Sequence, residues 1–151
     1  MKLKPGLTGA LVACMSACGQ SGSAGLASQV VIEGDAIPAS LTGEPGRVAE
    51  GAATFVSREG GHCVLCHGID GLEAEFQGNV GPDLTAIGDR LTPGQIRLRI
   101  VDARQIWPDT VMPSYYRTGG LRQVGKAFEG QPALTAGQIE DLVAYLSSQG
   151  S

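Results

Sequence analysis

The stretch HCVLCHG, residues 62–68, gathers both histidines of the chain and two of its four cysteines into seven positions. Three chemistries use residues of this kind. A structural zinc site needs four ligands closed around the metal, normally as two separated pairs, and beyond the leader this chain offers only His62, Cys63, Cys66 and His67. No second pair completes the tetrahedron. A redox dithiol would set Cys63 and Cys66 at the start of a helix that follows a strand, and no strand or β-α-β pattern precedes GGHC. The third chemistry uses every residue of CVLCH: the two cysteines form thioethers with the vinyl groups of haem c, and the histidine directly after the second is aimed at the iron. The motif therefore predicts one covalently attached haem, held by Cys63 and Cys66, with His67 as an axial ligand.

A haem iron then needs a sixth ligand or an open position. Met1 and Met15 lie in the first twenty residues, which leaves Met112 as the one methionine of the remaining chain. It stands in TVMPSYY, a loop punctuated by Pro108 and Pro113, and Pro113 fixes the backbone just beyond the sulfur. A lone methionine is elsewhere a filler of core gaps. Downstream of a haem motif, in a proline-bounded loop, it reads as the second axial ligand. His62 is tethered beside Cys63 on the attachment side, so it is expected at the surface or at the propionate edge.

The flanks supply an all-α scaffold. In EPGRVAEGAATFVSREGG, Val48, Ala52, Phe55 and Val56 recur at helical spacing, and Gly51 falls where another backbone could approach closely. LTPGQIRLRIVDA pairs Thr92 with Gln95 as a capping box, has Pro93 at the first helical position, and carries Ile96, Ile100 and Val101. LTAGQIEDLVAYLSSQG repeats the device with Thr135 and Gln138, then Ile139, Leu142, Val143 and Leu146, with Gly150 as the stop. Three helices joined by long glycine-rich loops are expected. Arg97, Arg99 and Arg104 read as a solvated helix face, with a docking face or propionate contacts as the alternatives. Of Tyr115 and Tyr116, one is expected against the haem edge.

Composition agrees with a small domain built round a cofactor. At 151 residues one core is expected, and 23 glycines with only 5% aromatic residues leave little to fill its centre. Residues 1–24 read as an export signal and linker: MKLKPG is basic, LTGALVACMSA is apolar but too short to span a bilayer, and CGQSGSAG is small and polar. MSAC resembles a lipobox, so cleavage before Cys18 with lipid attachment stands beside ordinary cleavage near Ala24 or Ala27. Either route places the domain outside the cytoplasm. Loss of Lys2 and Lys4 leaves 9 basic against 15 acidic residues, a net charge of −6. That balance argues against nucleic-acid binding. Lys126 is the single lysine beyond the leader, so a lysine-ringed docking face is excluded too.

CVLCH, NVGPDL, VMPSYY and IEDLVAYL together resemble the class I cytochrome c fold. Longer blocks, GDAIPASLTGEPG at 34–46, GNVGPDLTAIGDRLTPGQIRLRIVDAR at 78–104 and MPSYYRTGGLRQVGKAFEGQPALTAGQIEDLVAYL at 112–146, resemble SoxX, the monohaem subunit of the SoxAX cytochromes of bacterial sulfur oxidation. The resemblance covers residues 30–149, the expected monohaem domain. It implies Cys63 and Cys66 as thioether attachments, His67 and Met112 as axial ligands, and Pro82 as the residue whose carbonyl orients the ligating imidazole. Gly51 and Phe55 would meet Tyr145 where the first and last helices cross. It further implies a heterodimer with a SoxA-like cytochrome that oxidatively couples thiosulfate to a cysteine of the SoxYZ carrier, an L-cysteine S-thiosulfotransferase in which this chain accepts electrons and passes them to a small cytochrome. No autonomous catalytic site is expected in this chain. A free periplasmic electron carrier without a dedicated partner is the alternative. The family is commonly soluble and periplasmic, from which a lipid on Cys18 would depart.

Overall fold

Two threonines start the two longest helices, each by accepting a hydrogen bond from a backbone amide one turn on. In the computed structural model, which describes residues 24–150, Thr92 accepts from Gln95 N and Thr135 from Gln138 N, and each glutamine Oε1 in turn accepts from the backbone amide of its threonine. Both capping boxes are therefore formed, each satisfying amides that a helix start leaves unpaired. The helices are α1 (Val48–Val56), a single turn α2 (Ile87–Arg90), α3 (Pro93–Asp102) and α4 (Ala136–Ser147). Short 3-10 turns at Cys63–Leu65, Ala103–Gln105 and Lys126–Phe128 punctuate the loops. Among the described residues there is no strand, only isolated bridges at Leu26–Arg117 and Glu33–Ala36. The expected all-α architecture is the observed one. The proposed leader, with Cys18, lies outside the described residues apart from Ala24.

α1 crosses α4 at close range because two glycines allow it. A Cβ on Gly46 would collide with the Glu140 carbonyl, and one on Gly51 would collide with the Asp141 carbonyl and stand 2.6 Å from Tyr145 Cβ. Phe55 then packs its ring on Tyr145 with centroids 5.7 Å apart at 59°, a tilted pair of the favoured kind. The α1 amide end has no side-chain cap of its own; instead Arg47 N donates to Asp141 Oδ1 across the crossing at 2.7 Å. The buried face is narrower than the expected stripe. Gly51 and Phe55 are buried, whereas Val48 is 48% and Val56 37% exposed. Val56 is turned about 100° from Phe55 on the helical wheel, away from α4.

Three further expectations need correction. α4 ends at Ser147, before Gly150, and Ser148 caps it by donating its hydroxyl to the Tyr145 carbonyl at 2.7 Å. The single turn α2 joins the three helices foreseen. The arginines are not one solvated face. Arg97 is 5% exposed and grips Glu140 with Nε to Oε1 at 2.7 Å and Nη2 to Oε2 at 2.8 Å, while Nη1 donates to the Ile37 carbonyl at 2.7 Å. The segment around Ile37 covers α3, and Leu41 N donates to the same Glu140 at 2.9 Å. Removing one partner of such a buried pair costs about 3–5 kcal/mol, because the other charge is left unpaired.

Candidate haem site

The CVLCH motif is wound into one tight turn. His62 enters it in the left-handed region (φ 45°, ψ 37°), and the amides of Cys66 and His67 both donate to the Cys63 carbonyl, at 3.0 and 2.9 Å. That winding brings Cys63, Cys66 and His67 to the wall of one cavity of about 600 Å³. The segment GNVGP, residues 78–82, is laid against the turn by backbone alone: Gly78 N donates to Val64 O at 2.9 Å and Gly81 N to Cys66 O at 2.8 Å. Side chains are excluded at both positions. A Cβ on Gly78 would strike the Leu65 carbonyl, and one on Gly81 would lie 2.6 Å from His67 Nδ1.

This contact brings His67 Nδ1 to 2.7 Å from the Pro82 carbonyl oxygen. A carbonyl can only accept, so Nδ1 carries a proton, and in the neutral ring the lone pair is the one on Nε2. An imidazole in that tautomer is prepared to ligate a metal through Nε2, with its ring orientation held from behind.

The loop after α3 forms another part of the cavity wall. Met112 lines the same space, followed by Pro113 and Tyr115. Met112 N donates to Thr110 Oγ1 at 3.2 Å, and Thr110 N to Trp107 O at 3.1 Å, so the loop turns on itself just before the methionine. Tyr115 bridges the two walls: its hydroxyl donates to the Gly61 carbonyl at 2.8 Å, next to the motif turn. Burial raises the Tyr115 phenol well above its ordinary range, so it stays protonated and a donor. Tyr116 points elsewhere, is 5% exposed, and donates to Ser28 at 3.1 Å. Of the two tyrosines one therefore faces the cavity. His62 also lines it, half-buried beside the attachment turn.

Ile87, Ile96, Ile100, Leu142 and Leu146 supply the apolar remainder of the lining. A concave, mostly apolar space of this volume suits an organic cofactor. The donor set is two thiols on one wall, an imidazole nitrogen and a thioether sulfur, which are the groups that attach and ligate haem c. These residues fit haem. They fit a redox dithiol poorly: burial pushes the Cys63 thiol up to about 12, against a lowering backbone hydrogen bond and with the Cys66 charge adding to the rise. At neutral pH that thiol is not the thiolate exchange chemistry needs.

Reasoning from sequence missed two features of the site. Gly78 and Gly81 were visible only as part of a segment, although paired glycines ahead of a proline are a signal of close backbone approach. Asp102 was passed over altogether. It is 0% exposed at the end of α3; burial would raise its pKa, but hydrogen bonds from Ser114, Gln105 and Arg117 and the Arg117 charge outweigh that and hold it at about 2.

Comparison with known proteins agrees with this geometry. The family model for cytochrome c matches residues 48–150. The chain belongs to the cytochrome c family, which implies covalently bound haem c, with Cys63 and Cys66 at the family's CxxCH position. Within that family it is similar to SoxX: a chain of the crystal structure of SoxXA from P. pantotrophus superposes with a TM-score of 0.76 at 36% identity, covering 83% of this chain and 98% of that one. Comparison with curated protein sequences gives no match.

Proposed function

We propose that this chain is the electron-accepting monohaem subunit of a SoxAX-type complex that couples thiosulfate to a carrier-protein cysteine. The observation that carries the reading is the 36% identity over 98% of a SoxXA chain, joined to a cavity lined by Cys63, Cys66, His67 and Met112. Cys63 and Cys66 would hold one haem c by thioether bonds, His67 and Met112 would occupy its two axial positions, and Pro82 would fix the His67 imidazole through the bond to Nδ1. The bound haem supplies a one-electron Fe(III)/Fe(II) couple, whose potential a Met/His ligand pair raises. With both His67 and Met112 holding the iron, the group would serve electron transfer rather than the binding of oxygen or substrate. With Cys63 and Cys66 consumed by attachment, no free thiol is left among the described residues to act as a nucleophile. Its task is thus to receive electrons and exclude side reactions.

The chemistry belongs to the partner. A SoxA-like subunit would join thiosulfate to a SoxYZ cysteine: an S–H bond breaks, an S–S bond forms between the cysteine sulfur and the terminal sulfur of thiosulfate, and one proton and two electrons leave. This subunit would take those electrons singly and deliver them to a small cytochrome. The setting is the periplasm, with residues 1–24 as the export segment, 30–149 as the haem domain, and a lipid on Cys18 as a means of holding the mature chain at a membrane. No helix among the described residues is long and apolar enough to cross one.

The test uses the chain co-expressed with a SoxA-like partner under haem-attachment conditions. Thiosulfate is added with and without the SoxYZ carrier, and reduction of this subunit's haem is followed by absorbance. Reduction that needs every component is the expected result. Failure of the two cytochromes to associate, with reduction only by general reductants, would replace this reading with that of a free periplasmic carrier.

A further inference from the structure

The end of α3 holds a carboxylate with no access to solvent and five donor contacts. Asp102 Oδ1 accepts from the Ser114 hydroxyl and from Arg104 Nε at 3.3 Å. Oδ2 accepts from Gln105 Nε2 at 3.0 Å and from Arg117 Nε and Nη2 at 2.9 and 2.7 Å. These donors come from two places in the chain. Arg104 and Gln105 lie where the chain leaves α3 toward Met112, and Ser114 and Arg117 lie where it returns.

Met112 is thus carried on an excursion that leaves from and comes back to one side chain. The backbone reinforces the return: Tyr115 N donates to Ile100 O at 3.2 Å and Tyr116 N to Val101 O at 3.3 Å, both carbonyls at the end of α3. Between these anchor points the hydrogen bonds of Ile106, Trp107, Thr110 and Met112 stay inside the loop. A second, more exposed tie is the Trp107 ring, whose centre lies 5.2 Å from the Arg99 guanidinium carbon. Buried ion clusters are weak evidence for net stability, since apolar packing often serves as well. What they fix well is register, and here the register is that of the residue two positions before Ser114.

We propose that Asp102 is a positioning residue for Met112, the carboxylate that sets where the methionine sulfur stands relative to His67. The proposal rests on the reading of Met112 as an axial ligand. A loop held less firmly would spend more time with the sulfur withdrawn, and the iron position would then be open to a competing ligand in proportion to that fraction.

The experiment uses the holoprotein with haem attached, at a temperature well below every variant's melting point as read by circular dichroism. Four variants are compared with the parent: Asp102→Asn, Ser114→Ala, Ser114→Thr and Met112→Ala. The readouts are the affinity of the ferric protein for imidazole, the charge-transfer band of sulfur-ligated ferric haem, and the midpoint potential. Asp102→Asn is expected to tighten imidazole binding about tenfold or more, because the open fraction rises in that ratio. It should also weaken the sulfur band and lower the potential. Ser114→Ala should move all three the same way by less, and Ser114→Thr, which keeps the hydroxyl, should restore parental values. Parental imidazole affinity and sulfur band in both Asp102→Asn and Ser114→Ala would overturn the positioning role. Should Asp102→Asn fail to fold, Ser114→Ala against Ser114→Thr decides the question. Met112→Ala separates the two ideas: if it leaves affinity and band unchanged, Met112 is not the ligand and both fall. If it opens the iron while the Asp102 and Ser114 variants do not, only the positioning role fails.

Discussion

The two walls of the cavity are built by different physics. On the cysteine–histidine side the backbone does the holding: two glycine amides pair with carbonyls of the motif turn, and the imidazole is backed by the Pro82 carbonyl at 2.7 Å. On the methionine side a buried carboxylate collects charged and polar side chains from both ends of the loop. A wall made of backbone is sensitive above all to added volume. A wall made of ion pairs is sensitive above all to charge. The fold therefore presents one ligand rigidly by sterics and the other by charge, so substitutions on the two sides should leave opposite signatures.

The largest effect is expected from Gly81→Ala. Its Cβ would lie 2.6 Å from His67 Nδ1 and 2.8 Å from Nε2, so either the ring or the 78–82 segment must move. Overpacking of this severity costs about 3 kcal/mol. The cost should appear as a lower denaturation midpoint of the holoprotein. Loss of the bond from Nδ1 to Pro82 would make the imidazole a weaker electron donor. The midpoint potential should then rise, opposite in sign to Asp102→Asn. A variant with parental stability and potential would show that the wall has slack and that backbone packing does not define it.

Acid comes next in size and should act on the methionine side. Asp102 has a folded pKa of about 2 against an ordinary 3.8, so its contribution is fully present above about pH 4 and is lost as pH falls toward 2. The shift corresponds to about 2 kcal/mol. On the other wall the hydrogen bonds of Thr85 lower Asp83, but that group is fully exposed and screened. An acid titration of the ferric holoprotein should therefore weaken the sulfur band before the covalent attachment or the helical signal changes, and Asp102→Asn should flatten that early limb. Simultaneous loss of band and helicity, unchanged in the variant, would break the assignment of charge to one wall.

How much of this was legible before the coordinates follows from the range of each interaction. The two capping boxes were readable because donor and acceptor lie three residues apart, and Thr92 with Gln95 and Thr135 with Gln138 form as spaced. The attachment motif was readable because thioether chemistry dictates the interval between Cys63 and Cys66. The close crossing at Gly51 was visible as a missing side chain on an apolar face. Arg97 and Glu140 were not, since nothing within a turn of them explains burial; Glu140 meets Arg97 43 residues away and Leu41 99 residues away. Asp102 has Arg104 and Gln105 close by in sequence, but the Ser114 and Arg117 that close over it come from the far side of the loop. The same limit explains α1, where periodicity marked Val48 and Val56 as core. Only the position of α4 shows that packing centres on Gly51 and Phe55.

The smallest predicted effect tests a side chain whose hydroxyl joins the walls. Tyr115 leaves the methionine loop and donates its hydroxyl to Gly61 O at 2.8 Å, beside the motif turn. Tyr115→Phe keeps the ring against the cavity and removes that single bond, leaving the carbonyl with no replacement donor. A neutral hydrogen bond of this kind contributes about 1 kcal/mol. Denaturant unfolding of the holoprotein should lose about that much, with unchanged dependence on denaturant. If the walls are independent apart from this bridge, losses from Tyr115→Phe and Ser114→Ala should add, because the two side chains hold different neighbours. If the hydroxyl instead passes strain from the motif turn into the loop, the double variant will fall short of or exceed the sum, and the division into a backbone wall and a charge wall must give way to one coupled unit.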